Sequence, residues 1–170
     1  MARYLIILIV LSLALSAGAQ DKYNYGALKK QNEEVLFSFR LHNNKIAVLA
    51  SPKDNSYLVY RFGTAEKAEL EYPAVRDKSS WKRFQYSGYW RGGGKENEAL
   101  EDYSLSFKNN GIEYSLYENW YSGDEKFHVG IRVTEGKKET DIKGMVSTIV
   151  GTLAAFREMG NLIHNDANDQ

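Results

Sequence analysis

Residues 103–116, YSLSFKNNGIEYSL, decide the fold class of this chain. Large apolar side chains occupy every second position before and after the Asn110-Gly111 pair, which is the pattern of two half-buried β-strands. An Asn-Gly pair suits the left-handed backbone conformation of a tight hairpin turn. The stretch therefore predicts an antiparallel β-hairpin.

The same alternation recurs on both sides of this hairpin, in short runs separated by turns rich in Gly, Pro, Asn and Asp. The predicted strands cover residues 35–41, 46–50, 57–62, 68–72, 81–86, 103–107, 112–116 and 127–133. No alternation of strands and helices, as a parallel sheet requires, is present. The sequence predicts an all-β fold, an antiparallel meander of about seven or eight strands that closes as a barrel or sandwich to protect its edges.

The period changes near the C-terminus. Apolar residues recur there at spacings of three and four, at Val146, Ile149, Val150, Leu153 and Phe156. Because this spacing places them on one face of a helix, we expect a C-terminal α-helix over residues 146–159, packed on the β unit. Gly160 follows where a C-terminal glycine belongs, and residues 161–170 are expected to form a flexible polar tail.

The first 19 residues have the pattern of a cleavable signal peptide. Arg3 precedes an apolar run over residues 4–15, and Ala17-Gly18-Ala19 forms a small-residue cleavage site. The run is shorter than the roughly 20 residues of a membrane span. We expect a periplasmic or secreted protein without stable membrane insertion, with a polar lead-in over residues 20–33 and one β-rich domain over residues 34–160.

Composition excludes several classes of function. Lys and Arg total 22, Asp and Glu also total 22, and there is no cysteine. A chain so balanced has no broad electrostatic attraction for nucleic acid or an anionic membrane. Without cysteine it has no disulfide, no thiol chemistry and no lipid-modified cysteine after the signal.

A catalytic site is hard to build from this sequence. His42, His128 and His164 lack partners at metal-ligand spacing and lie in no nucleophile motif. Glu69 and Glu71 share one strand face, which is more simply a solvated face than an acid/base pair. We therefore predict no catalytic residue, no metal, no cofactor and no enzymatic activity. An enzyme assembled from distant segments would require a carboxylate or histidine with a strongly shifted pKa in a cleft.

The stretch FQYSGYWRGGG, Phe84–Gly94, is the best candidate for a binding surface. Its three consecutive glycines have no side chain to bury, so we expect a loop. Aromatic residues and arginine dominate binding hot spots. The predicted partner-binding residues are Ser87, Gly88, Tyr89, Trp90 and Arg91. The alternative is that the two aromatic rings pack on the rim of the barrel.

A second aromatic cluster precedes the turn at Ser122-Gly123. It consists of Tyr117, Trp120 and Tyr121. We expect this cluster to form a secondary binding rim that lines up with the first, with rim packing of a hairpin end again as the alternative.

The segment Ala50–Ala74 resembles one found in small uncharacterised exported bacterial proteins. The resemblance rests on YRFG at Tyr60–Gly63 and on ELEYP at Glu69–Pro73. It extends over most of residues 39–133, through a glycine-rich stretch and a strand pair. That group brings no established activity to this chain.

The segment Ser87–Arg91 is similar, more weakly, to a loop of periplasmic lysozyme inhibitors. These are small exported β-barrels that insert a loop with Ser-Gly and a nearby Arg or Tyr into the lysozyme cleft. The resemblance implies that Ser87 and Arg91 contact the catalytic carboxylates of the enzyme. This chain departs from the pattern, since Arg91 falls late, no tyrosine follows it and Trp90 intervenes.

These observations favour an exported, non-enzymatic binding protein whose partner is a cell-wall hydrolase or another envelope protein. The alternative is a small-molecule or glycan carrier with a pocket inside the barrel. Aromatic residues of Tyr57–Phe62 and Ile112–Tyr117 would line that pocket. Mutual contact of the inward-facing side chains would indicate a filled barrel instead.

Overall fold

The computed structural model describes residues 23–92, 99–123 and 125–165. Ten strands follow one another along the chain: β1 Glu33–Leu41, β2 Ile46–Pro52, β3 Val59–Gly63, β4 Ala68–Tyr72, β5 Gln85–Arg91, β6 Leu100–Asn109, β7 Ile112–Tyr121, β8 Lys126–Glu135, β9 Lys138–Gly151 and β10 His164–Asn165. Short 3-10 helices lie at Gly26–Leu28 (η1), Lys78–Arg83 (η2) and Leu153–Met159 (η3). None of the helices in these ranges is long and apolar enough to cross a membrane.

The strands form one sheet that curls into a half-barrel. Their order is β10-β5-β6-β7-β8-β9-β1-β2-β3-β4, and the pairs are antiparallel apart from β10 with β5. The long strand β9 joins the two halves, because residues 138–143 pair with β8 and residues 144–151 pair with β1. The predicted β-rich antiparallel architecture is confirmed, with more strands than expected.

The hairpin predicted at residues 103–116 is the joint between β6 and β7. Asn110 and Gly111 have φ values of 51° and 81°, the left-handed conformation that a tight turn requires. Asn109 pairs with Ile112, and the pairing continues without a shift to Leu100 and Tyr121. The turn therefore fixes the register of both strands along their whole length.

The concave face of the half-barrel is filled by one apolar core. Rings from β3 and β4 contact rings from β6 and β7 across it, because the sheet curls back on itself. Tyr72 stacks on Phe107 with 4.4 Å between ring centroids, and Tyr60 lies 5.1 Å from the same ring. Phe107 also stacks on Tyr114 at 5.1 Å. The edge strand β4 is thus held against β6 by side chains.

The predicted helix over residues 146–159 is wrong for its first part, since β9 continues to Gly151. In the pairing of β1 with β9, Ser38 lies opposite Val150 and Arg40 lies opposite Met145. The single residue between Ser38 and Arg40 therefore faces four residues of β9. Thr148 accepts a hydrogen bond from the Arg40 amide at 2.9 Å inside this irregularity. Such a bulge breaks the period of two, and the apolar spacing consequently imitates a helix.

The rest of that region forms η3, which fits into the core. Thr152 accepts a hydrogen bond from the Ala154 amide and caps the helix. Leu153 and Phe156 are fully buried, and the Phe156 ring lies 6.3 Å from that of Tyr86. Residues 161–165 also differ from the expected tail, because Ile163 is buried and β10 pairs with β5. Residues 166–170 lie outside the described ranges.

The strand predicted over residues 81–86 is replaced by η2 and the beginning of β5. Asp77 caps η2 by accepting a hydrogen bond from the Ser79 amide at 2.7 Å. Trp81 is completely buried on this helix and donates its indole N–H to the Asn55 carbonyl oxygen at 3.1 Å. The large apolar residues of this stretch thus reach the core from a helical turn and from a strand.

The N-terminal residues cover the convex face of β1, β2 and β3. Tyr25 and Leu28 are buried there among Ile46, Val48 and Val59. The Tyr25 hydroxyl lies 2.8 Å from that of Ser38. The segment expected to be a polar lead-in therefore contributes a second, smaller core, and β2 is buried on both faces.

The YRFG and ELEYP segments meet beneath this cover. Arg61 of YRFG pairs directly with Glu71 of ELEYP across β3 and β4, and its guanidinium contacts the Glu71 carboxylate. The same guanidinium binds Glu33 and donates to the Leu28 carbonyl oxygen at 3.2 Å. Because Arg61 is almost completely buried, these segments have a structural role in this fold.

Candidate functional site

Four strands extend beyond the core at one end of the sheet: the end of β5, the start of β6, the end of β7 and the start of β8. These strand ends contain Tyr89, Trp90, Trp120, Tyr121 and Phe127, which we call the aromatic end. Four of the five side chains are exposed: Tyr89 by 55%, Trp90 by 59%, Tyr121 by 38% and Phe127 by 51%. Large aromatic residues are usually buried, so their display requires an explanation other than core packing.

Strand register divides the aromatic end between the two faces of the sheet. Trp90, Glu101, Trp120 and Phe127 pair side by side across β5 to β8. They share the concave face with the core, because the buried residues Tyr86 and Leu105 lie four residues from Trp90 and Glu101 on the same strands. We call these four residues the concave row. The Trp120 and Phe127 rings lie 6.4 Å apart.

The neighbouring row lies on the convex face. It consists of Tyr89, Asp102, Asn119 and His128. The Asn119 side-chain amide is oriented so that its nitrogen donates to Asp102 Oδ1 at 3.2 Å and its oxygen accepts from the Tyr121 hydroxyl at 3.2 Å. The Tyr121 ring also lies 6.2 Å from His128. We call Tyr89, Asp102, Asn119 and His128 the convex row.

The predicted binding residues Ser87 to Arg91 lie on β5 and not on a loop, which corrects the expected conformation. Ser87, Tyr89 and Arg91 are exposed on the convex face, while Trp90 is exposed on the concave face. The rim packing considered for Tyr89 and Trp90 is not observed. Gly93 and Gly94 lie outside the described ranges.

Gly88 has a packing role. A Cβ atom at this position would lie 2.4 Å from the Tyr86 hydroxyl oxygen, so only glycine leaves room for the Tyr86 ring. The glycine of the Ser-Gly pair is therefore required by its own strand, and it is partly buried beneath the row that carries Trp90.

Tyr117, predicted as part of the secondary rim, is also a packed residue. It is 8% exposed and donates its hydroxyl to Asp141 Oδ1 at 2.8 Å. Burial and this hydrogen bond raise the pKa of Tyr117. Its ring lies over Gly130 and beneath the Arg132 guanidinium. Trp120 and Tyr121, by contrast, belong to the aromatic end.

Two carboxylates stand at the centre of the aromatic end, and sequence reasoning did not single them out. Glu101 lies in the concave row and Asp102 in the convex row, on adjacent positions of β6. One row nearer the core, Glu118 accepts hydrogen bonds from the Thr152 hydroxyl at 2.7 Å and the Leu153 amide at 2.6 Å. Burial, with a contribution from the Glu101 charge, raises the pKa of Glu118.

Glu118 is therefore a carboxylate with a raised pKa near a second carboxylate, as an acid/base pair would have. Both of its hydrogen bonds, however, go to the start of η3 and hold that helix against β7. A capping contact accounts for its position without a reaction. No group of three metal-binding side chains occurs within the described ranges.

An open groove adjoins the aromatic end where β9 leaves β8 to pair with β1. Its volume is about 440 Å³, and its walls include Tyr121, Phe127, His128 and Val146. Pairing of β8 with β9 stops at Gly130 and Lys143, so β8 residues 126–129 have no partner strand from β9. The aromatic end thus continues into a depression large enough for a partner's side chain.

Comparison with protein-family models, with curated proteins and with solved structures yields no match. The two resemblances drawn from the sequence accordingly stay predictions.

Proposed function

We propose that the protein is an exported, non-enzymatic binding protein that inhibits a cell-wall hydrolase through its aromatic end. The observation that carries the proposal is the exposure of Tyr89 and Trp90, at 55% and 59%, on consecutive positions of β5. Two adjacent aromatic rings project from opposite faces of one strand. A surface of this kind is suited to enter a cleft and contact both of its walls.

The polar residues of β5 support a hydrolase as the partner. Ser87 and Arg91 lie on the same face as Tyr89, at intervals of two residues. An extended strand rises about 3.3 Å per residue, so the Cα atoms of Ser87 and Arg91 lie on the order of 13 Å apart along β5. Arginine binds carboxylates through two parallel hydrogen bonds, and cell-wall hydrolases with paired catalytic carboxylates offer that target.

The carrier alternative has less support. Tyr60 and Leu116, which belong to the segments expected to line an internal pocket, are fully buried in mutual contact with the rest of the core. Tyr117 projects to the convex face and binds Asp141. These segments supply packing to the half-barrel, while the displayed aromatic side chains lie outside it.

Inhibition assays test the proposal directly. The purified protein is added to muramidases and peptidoglycan amidases, and the rate of peptidoglycan hydrolysis is measured. We expect one class to be inhibited, with Trp90→Ala and Arg91→Ala each weakening inhibition by roughly tenfold or more. Arg83→Ala is the matched control, because Arg83 is exposed on η2 and precedes β5. Hydrolysis rates unchanged by the wild-type protein across both enzyme classes would refute the proposal.

A further inference from the structure

Glu101 lies between two tryptophans in the concave row. Its direct neighbours on the concave face are Trp90 of β5 and Trp120 of β7. Directly opposed residues of antiparallel strands have Cβ atoms roughly 4.5–5.5 Å apart, so both tryptophan side chains start next to that of Glu101 on the same face. Phe127 extends the row beyond Trp120. An acidic residue thus has an aromatic residue as its neighbour on each adjacent strand.

Among the described residues, the carboxylate of Glu101 has no cationic partner. Within the described ranges, no Lys, Arg or His side chain lies within ion-pair distance of Glu101. The adjacent acid differs, since Asp102 accepts the amide of Asn119 at 3.2 Å on the other face. The concave row therefore combines a carboxylate that forms no ion pair within the described residues with the exposed rings of Trp90 and Phe127.

A cationic group satisfies both parts of this surface. The ring faces of Trp and Phe attract a cation through their quadrupole, and the carboxylate adds a charge-assisted hydrogen bond. The next row toward the core already contains such a contact, where the Arg157 guanidinium lies 5.8 Å from the centre of the Tyr103 ring. Glu118 lies beside Tyr103 in that row.

We infer that the concave row binds a cationic side chain, arginine or lysine, of a partner protein. The two Trp rings hold its apolar stem and its charged group meets Glu101. Arginine suits the row best, because its planar guanidinium stacks on aromatic faces and pairs with carboxylate. The inference rests on the proposed function, for which it specifies a partner with a basic side chain at the rim of the bound cleft.

Small probes test the concave row without a partner protein. Nα-acetyl-arginine amide is titrated into the full chain, and the indole N–H resonances of the three tryptophans are followed by NMR. Nα-acetyl-citrulline amide has nearly the same shape without the charge, and chitotriose represents a neutral glycan. We expect the arginine derivative to shift the signals of Trp90 and Trp120, to leave buried Trp81 unchanged, and to bind in the millimolar range.

Two neighbouring acids provide the matched variants. Glu101→Gln should weaken binding of the arginine derivative by roughly fivefold, as loss of a partly exposed charge pair predicts. Asp102→Asn removes the same charge from the opposite face of the same strand and should leave binding unchanged. Equal binding of citrulline amide, equal effects of the two substitutions, or binding of chitotriose alone would overturn the inference.

The hydrolase assay separates this result from the proposed function. If the arginine derivative binds and no hydrolase is inhibited, the concave row is confirmed as a cation site and the hydrolase proposal fails. If a hydrolase is inhibited equally by wild type and Glu101→Gln, the proposed function holds and the inference fails.

Discussion

The guanidinium of Arg61 binds the carboxylate of Glu33 through two hydrogen bonds, 2.6 Å from Nη1 to Oε2 and 3.0 Å from Nη2 to Oε1. Both side chains are almost completely buried, beneath the N-terminal segment on the convex face. Tyr57 donates its hydroxyl to the same carboxylate at 2.8 Å, and the Lys30 amide donates at 2.7 Å. The pair thus joins β1, β3 and the N-terminal cover.

Arg61→Met is expected to destabilise the protein by about 3–5 kcal/mol, because it leaves the Glu33 charge buried and unpaired. The free energy of unfolding is measured by urea denaturation. Lys45→Met is the control, since Lys45 forms a 2.7 Å salt bridge with Glu69 that is partly exposed and should contribute less than about 1 kcal/mol. Similar losses for the two variants would show that the buried pair is not a special feature of this fold.

Stability should also depend on pH through Glu33. Burial alone would raise the pKa of this carboxyl, but hydrogen bonds from Arg61, the Lys30 amide and Tyr57 hold it below the ordinary value of 4.5. A lowered carboxyl pKa stabilises the folded state above the unfolded pKa, and this contribution is lost as pH falls through the folded pKa. We expect the urea midpoint to fall below about pH 4.5 and Glu33→Gln to flatten that fall. A steeper dependence in the variant would contradict this assignment.

Much of the aromatic end was within reach of the sequence. The sequence predicts the tight turn at Asn110-Gly111, and this turn makes Asn109 and Ile112 direct neighbours. Extending that register by eight residues places Glu101 opposite Trp120. The alternation of the strands predicted the β fold for the same reason, since a hairpin without a bulge preserves its period.

The failures occur where register is interrupted or where burial depends on distant residues. In β9, four residues lie opposite one residue of β1. This irregularity interrupts the period of two, so the end of β9 has the apolar spacing of a helix. The polar segment before Glu33 gave no periodic signal, although Leu28 is fully buried. Burial of Arg61 depends on this cover and on Glu33, so composition alone presents it as one more surface charge.

The cover itself is open to test at Leu28, which is fully buried against the convex face. Leu28→Ala should reduce the free energy of unfolding by about 2–5 kcal/mol, as removal of a fully buried leucine side chain does. Ala27→Ser is the control, because Ala27 is exposed on the same short helix. Hydrogen exchange would show faster exchange of amides in residues 23–32. A loss below about 0.5 kcal/mol would mean that the segment does not dock in solution.

The pKa of Glu118 is shifted in the opposite direction to that of Glu33, so the predicted dependence of stability on pH also has the opposite sign. Burial, and to a smaller degree the Glu101 charge, raises the pKa of Glu118 despite its hydrogen bonds with Thr152 and Leu153. For an acid with a raised pKa, the stabilising contribution is present below the unfolded pKa and is lost as pH rises through the folded pKa. Ionised Glu118 therefore costs stability at pH 7, and Glu118→Gln removes that charge while keeping an oxygen that accepts from the Leu153 amide.

We expect Glu118→Gln to be at least as stable as wild type at pH 7, with the difference vanishing below about pH 4.5. Glu118→Ala removes the acceptor and leaves the Leu153 amide unsatisfied, which should cost about 1–3 kcal/mol at either pH. Urea denaturation at pH 4 and pH 7 measures both effects. If Glu118→Gln were as unstable as Glu118→Ala at pH 7, the negative charge itself would be required to hold η3 against β7.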